Sequence, residues 1–203
     1  MGATEMTSAV LARRRSYHVG NVRSQLSSAA RGLLESEGAS GLSLRAIARR
    51  TGVALGTVYY HYADKNALLS GLAVEGFHDL AEAMREATDA REGISGLRAA
   101  GLAYLDFVRR RPAVYGLMYE IRDASRRPEV VEAEEAAFAE MVRAVAFDFG
   151  GRSPAAPRQV AQAIWACARG IAALAIARGQ PGGLDAQTVD EAVRGLEILV
   201  ANP

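Results

Sequence analysis

Residues 42–69 read LSLRAIARRTGVALGTVYYHYADKNALL, and this stretch decides the fold: two short helices joined by a tight turn, with a capped third helix behind them. Ile47 and Ala48 put an apolar and a small side chain on the inner face of the first helix, where a small residue lets a second helix cross closely. Gly52 ends that helix, because so tight a turn needs a residue that takes positive φ without steric cost. Val53 and Val58 supply the apolar contacts that pack the second helix, Leu55 to Tyr62, back against the first. Its remaining faces carry Thr57, Tyr59, Tyr60 and His61. Donors and rings facing outward, on a helix preceded by Arg45, Arg49 and Arg50, suit the major groove of DNA better than water. Asp64 is a good N-cap for the third helix, since its carboxylate accepts from free backbone N–H groups and complements the helix dipole.

The string Ala48-x-x-x-Gly52-Val53-x-x-Gly56-Thr57-x-Tyr59-x-His61-Tyr62-x-x-Lys65 resembles the reader of the tetracycline-repressor (TetR) family of transcriptional regulators, and the likeness runs from Val22 to about Leu69. The resemblance implies an all-α chain with an N-terminal three-helix helix-turn-helix DNA-binding domain and a larger helical ligand-binding and dimerisation domain. It also implies DNA contacts from Arg45, Leu55, Gly56, Thr57, Tyr59, Tyr60, His61 and Lys65. Tyr59 and His61 are too polar for a core face without partners, whereas for Tyr60 and Tyr62 packing against the first helix stays open.

Charge is divided in the same sense. The chain has 203 residues and a formal charge of +1, but the part through Lys65 carries +5 and the remaining 138 residues carry −4. Phosphate neutralisation is expected to be confined to the first part. The single cysteine, Cys167, excludes an internal disulfide and a multi-cysteine metal site, and its Ala-rich surroundings suggest a buried packing position. No window approaches ~18 uninterrupted apolar residues, and Met1 to Gly20 lacks the apolar centre of a signal peptide, so a cytoplasmic protein away from membranes is expected.

The expected organisation is a flexible basic arm over 1–20, a DNA-binding domain over 21–66, and an effector-binding and dimerisation domain over 67–203. The arm holds Arg13, Arg14 and Arg15 and lacks helical apolar spacing, and Asn21 is placed to cap the first helix. Beyond Ile94, Pro112 and Pro128 open helices in turn. The run Glu132, Glu134, Glu135 and Glu140 reads as a solvated face, with no histidine near enough to complete a metal site. The last two helices, 160–177 and 189–200, carry apolar or small residues over much of their circumference and so call for a partner. Relatives of the resembled family dimerise through these helices, which implies a homodimer reading a pseudo-palindromic operator.

Tyr104, Phe107, Tyr115, Met118, Tyr119, Phe138, Met141 and Trp165 lie on four helices and could converge on an effector pocket, although rings at helical spacing also form ordinary core. Trp165 to Gly170 resembles the Trp-His-Gly signature of one TetR subgroup, with Arg169 in the place of histidine; Arg169 is read either as an ion-pair partner or as a contact for an acidic effector. No phosphate loop, nucleophile elbow or ligand pair at metal spacing is present, so no catalytic residue, metal or cofactor is expected. The function implied is a repressor released from double-stranded DNA by a small, largely apolar molecule. A constitutive DNA-binding regulator and an all-helical enzyme are the alternatives.

Overall fold

The computed structural model describes the backbone of residues 3–125, 127–149, 157–177 and 186–201, and the side chains of 22–121, 127–148, 157–176 and 187–198. The described residues form helices α1 (Ala3–Gly41), α2 (Leu44–Thr51), α3 (Leu55–His61), α4 (Lys65–Asp89), α5 (Gly96–Arg110), α6 (Pro112–Ser125), α7 (Pro128–Phe149), α8 (Pro157–Ala177) and α9 (Ala186–Ala201), with no strand among them. Two compact units result, Met1–Leu72 and Ala73–Pro203, and the boundary falls inside α4.

In the first unit, Leu26, Ala30, Leu33 and Leu34 of α1, Ile47 of α2 and Val58 of α3 are buried, and α2 packs against both α1 and α3. Ser43 caps α2, accepting from the Ala46 N–H at 3.1 Å. Gly52 ends α2 at φ 70°, in the left-handed region expected of it. Thr51 tightens the same corner: its hydroxyl donates to the Ile47 carbonyl at 2.8 Å and accepts from the Val53 N–H at 3.4 Å. Asp64 caps α4 as expected, its Oδ1 accepting from the Ala67 N–H at 2.7 Å.

α1 corrects two expectations. Its backbone is helical from Ala3, so Asn21 lies inside the helix and not at its start, and the segment 3–20 is helical rather than an irregular arm. Ala, Met, Leu, Arg and Glu are strong helix formers, and a helix needs no apolar stripe to hold its backbone bonds. The side chains of Arg13, Arg14 and Arg15 lie outside the described residues.

In the second unit, α5 packs against α6, α7, α8 and α9. Asp148 of α7 caps its N-terminus: Oδ1 accepts from the Gly96 N–H at 2.8 Å and Oδ2 from the Leu97 N–H at 2.7 Å. Closeness there depends on Gly96, where an added Cβ would lie 3.0 Å from the Ala144 carbonyl oxygen. Arg98 ties α5 to α9 through Glu197 at 3.0 Å and through Asp190. Pro112 and Pro128 open α6 and α7 as their fixed φ favours.

Glu134 is another correction. It is buried, because it falls on the α7 stripe of Val130, Ala137, Phe138 and Met141 at helical spacing, while Glu132 and Glu135 are exposed. Cys167 is exposed, not buried. α8, from Pro157 to Ile176, is long and apolar enough to cross a membrane by length and composition, with 28% of it buried, although Arg158, Gln159, Gln162 and Arg169 interrupt it.

An added Cβ at Gly52 meets nothing within 4 Å, so substitution there tests backbone strain alone. Gly52→Val should cost about 1–3 kcal/mol in urea unfolding, and Gly52→Asn distinctly less, since Asn tolerates the left-handed region. Equal losses for the two would show that the turn does not impose that conformation.

Candidate DNA-binding face and effector core

The reader helix α3 is seven residues long and is held by a single buried side chain, Val58. With Val58 inward, Tyr59 and Tyr60 are 49% and 79% exposed, which settles the open role of Tyr60 against packing. Tyr62 takes the packing role: it is buried, and its ring lies 3.4 Å from where a Cβ on Gly71 of α4 would stand. The Tyr60 and His61 rings meet edge to face at 5.3 Å. Thr57, Leu55 and His61 are half-buried, and Arg45, Gly56 and Lys65 are exposed. Lys65 is the one residue of this set with a side-chain hydrogen bond to protein among the described residues, its Nζ donating to the Ala39 carbonyl at 2.8 Å. Arg50 turns away, its guanidinium lying 3.3 Å from where a Gly32 Cβ would stand on α1.

In the second unit, six rings from five helices form a connected chain. Phe77 (α4) meets Tyr119 at 5.4 Å, Tyr119 meets Tyr115 (both α6) at 5.0 Å, and Tyr115 meets Tyr104 (α5) at 5.9 Å. Tyr104 meets Trp165 (α8) at 5.2 Å, and Trp165 meets Phe138 (α7) at 5.6 Å. All are edge-to-face contacts, the arrangement that ring quadrupoles favour. The Tyr104 hydroxyl binds those of Tyr115 at 2.7 Å and Tyr119 at 3.3 Å, so three phenols from two helices satisfy one another. Arg169 of α8 stacks its guanidinium 3.9 Å from the Tyr119 ring centre.

Burial dominates the protonation of this cluster. It pushes Tyr115 up to about 12 against the lowering effects of the Tyr104 hydrogen bond and the Arg169 charge, and it raises Tyr104 and Tyr119 further. The hydroxyls are therefore neutral donors and acceptors at physiological pH.

The structure thus brings together Tyr104, Tyr115, Tyr119, Phe138, Trp165 and Arg169 from the expected effector set. Met118 is buried against Gly76 of α4, and Met141 is buried on the inner stripe of α7. Phe107 is set apart. It joins no aromatic ring of this chain among the described residues, and it lines an open groove of about 460 Å3 between α4 and α5 with Ala83, Ala87, Ala103 and the Arg111–Asp79 ion pair at 2.5 Å. Phe77 and Glu134 are absent from the set expected from sequence. Phe77 has the helical spacing of Leu80 and Met84, and Glu134 that of Val130 and Phe138, so period 3.6 is the signal available for both.

A short helix presenting tyrosines behind a left-handed glycine turn, in the part of the chain with surplus positive charge, is a helix-turn-helix reader, and the helical unit behind it defines a DNA-binding transcription regulator. Residues 26–72 match the family described as bacterial regulatory proteins, tetR family, and residues 97–196 match the tetracyclin repressor-like C-terminal domain. The chain belongs to the TetR family. It is 28% identical over 117 residues to the uncharacterised HTH-type transcriptional regulator YobS of Bacillus subtilis, an alignment spanning 57% of this chain and 60% of that relative. A protein of unknown function from Rhodococcus sp. RHA1 superposes with a TM-score of 0.72 at 32% identity, covering 85% of this chain and 89% of that one. The transcriptional regulator FadR of Bacillus subtilis, solved in complex with stearoyl-CoA, shares the fold at a TM-score of 0.69 and 16% identity, over 89% of this chain and 99% of that one.

The raised tyrosines set a pH dependence with a definite sign. Above about pH 10 an unfolded tyrosine loses its proton, while folded Tyr115 keeps its own to about 12. The folded state then binds more protons than the unfolded one, so stability falls with rising pH. Urea midpoints should decline between about pH 10 and 12 more steeply in the wild type than in Tyr104→Phe, which removes one of the titrating groups. Parallel profiles would count against neutral buried hydroxyls.

Proposed function

We propose that the protein is a homodimeric, ligand-responsive repressor, released from a pseudo-palindromic operator when a small, largely apolar molecule binds among the rings of the second unit. The observation that carries the dimer is the outer face of α8. Ala163, Ala166, Cys167, Gly170, Ala173 and Leu174 are all exposed and recur at helical spacing, with Leu174 at 59% and Ile198 of α9 at 57%. An apolar stripe of such length on one protomer supports a helix-on-helix contact with a second copy, and two such helices per subunit suffice for an interface of ~1,600 Å². A two-fold pair would set two α3 helices about one DNA turn apart, ~34–36 Å. Cytoplasmic placement follows from that role.

The reader's part rests on Arg45, Thr57, Tyr59, Tyr60, His61 and Lys65, with Leu55 and Gly56 opening the helix that enters the groove. The effector's part rests on the connected rings, whose phenols supply neutral polar contacts inside an apolar surround. FadR's complex with stearoyl-CoA supports a ligand role for the corresponding fold. A ligand shifts operator binding only by its differential affinity for two conformations, so ~100-fold release requires about 2.7 kcal/mol of difference.

Selection of genomic fragments by the purified chain should yield a palindromic site. Replacing Tyr59, His61 and Lys65 together by Ala should abolish binding to that site with circular dichroism unchanged. Lys65→Ala alone should weaken all sequences similarly and lower the salt slope by about 1. Retained affinity in the triple variant would remove the assigned face.

Sedimentation at micromolar concentration should show about 43 kDa, twice the 21.6 kDa chain. Leu174→Arg, at a position exposed in the protomer, should give a folded monomer that no longer holds a two-half-site operator. A monomeric wild type, or a dimeric variant, would exclude this interface.

A further inference from the structure

Arg169 stands out among the arginines of the second unit. Arg85, Arg98, Arg109, Arg110, Arg111, Arg127, Arg143, Arg158 and Arg194 each make an ion pair, and Arg91 donates to the Thr88 carbonyl. Arg169, which is half-buried, makes no ion pair or hydrogen bond among the described residues, and its guanidinium rests on the face of Tyr119. Stacking uses the plane of the guanidinium and leaves its five in-plane N–H donors without a partner among the described residues. Paired surface arginines a few ångströms from solvent are ordinary. One without a partner among the described residues, half-buried against the Tyr119 ring, holds donor capacity that those residues do not use.

We propose that the effector carries a single carboxylate, held by the Arg169 guanidinium, on an apolar body that lies along the ring chain toward Trp165. This rests on the effector reading under Proposed function and specifies its chemistry. A planar fork of N–H donors matches a carboxylate in two parallel hydrogen bonds, which a neutral alcohol or carbonyl cannot reproduce. The Arg169 charge already acts on Tyr115 and Tyr119, lowering both against their burial, so the guanidinium and those hydroxyls share one electrostatic neighbourhood. Their neutral O–H groups can join it as donors to an anion.

Glu134 is the buried acid of the described core, and it acts on the same two tyrosines from α7 with the opposite sign. A single carboxylate on the ligand balances the single charge of Arg169.

The test uses the full-length chain and two matched pairs of probes, decanoate with decanol and 4-phenylbutyrate with 4-phenylbutanol. Binding is read from quenching of Trp165, the single tryptophan, and from release of the selected operator. Each acid should bind at least tenfold more tightly than its alcohol at pH 7.5. Arg169→Gln should abolish that preference, the acids losing at least tenfold more affinity than the alcohols, and Arg169→Lys should restore part of it. If acids and alcohols bind equally in the wild type, or the preference survives in Arg169→Gln, the carboxylate assignment is wrong and the effector site stands. Absence of saturable quenching by all four probes would overturn the assignment and remove the effector reading with it.

Discussion

The second unit is organised by the capture of two backbone N–H groups at the start of α5 by one carboxylate, that of Asp148. Every helix terminus exposes such donors, and a buried terminus must find acceptors elsewhere. Here they come from a different helix 52 and 51 residues further on, so α7 cannot be placed without placing α5. Gly96 lets the two backbones meet at the Ala144 carbonyl, and Ser95 extends the junction to α9 through Glu197 at 2.6 Å. Tyr104 then points from the middle of this fixed helix to Tyr115 and Trp165. The geometry of the phenol cluster is therefore inherited from a cap two turns away.

The first unit is legible in the sequence because its determinants are local. Gly52 must take positive φ, Asp64 must cap the next helix, and Val58 must face inward, each decided within a few residues. Tertiary determinants leave weaker traces. Asp148 carries no mark in the sequence that it caps a distant helix. Glu134 is hidden by its neighbours: the acids around it read as one face, although its own spacing from Val130 and Phe138 places it inside. Cys167 misleads in the opposite sense, since an Ala-rich run looks buried whether it meets its own core or an outer surface. α1 outruns its apolar stripe because periodicity reports burial rather than helicity, and a polar stretch can be helical without it.

Among the expected effector residues, convergence is visible in the sequence and its limits are not. Rings on α5, α6, α7 and α8 do meet, but Phe107, three residues after Tyr104, looks toward α4 and borders a separate groove. A small rotation about the helix axis decides that, and boundaries read from sequence do not resolve it. The phenols of this core satisfy one another, while the Arg169 guanidinium has no ion pair among the described residues. Phenols closing on one another stabilise a unique packing.

Lys65 has a consequence of a different kind. It is the only lysine in 203 residues, and it sits at the first position of α4 with its ammonium on the Ala39 carbonyl. All other side-chain cations are guanidinium groups or imidazoles, which acylating reagents at mild pH leave untouched. The chain therefore offers such reagents one side-chain amine, placed at the end of the reader rather than in the ring-lined unit. A fluorophore attached there would label the first unit at one position, at the cost of the Lys65 charge, and leave the ring-lined unit unlabelled without any substitution.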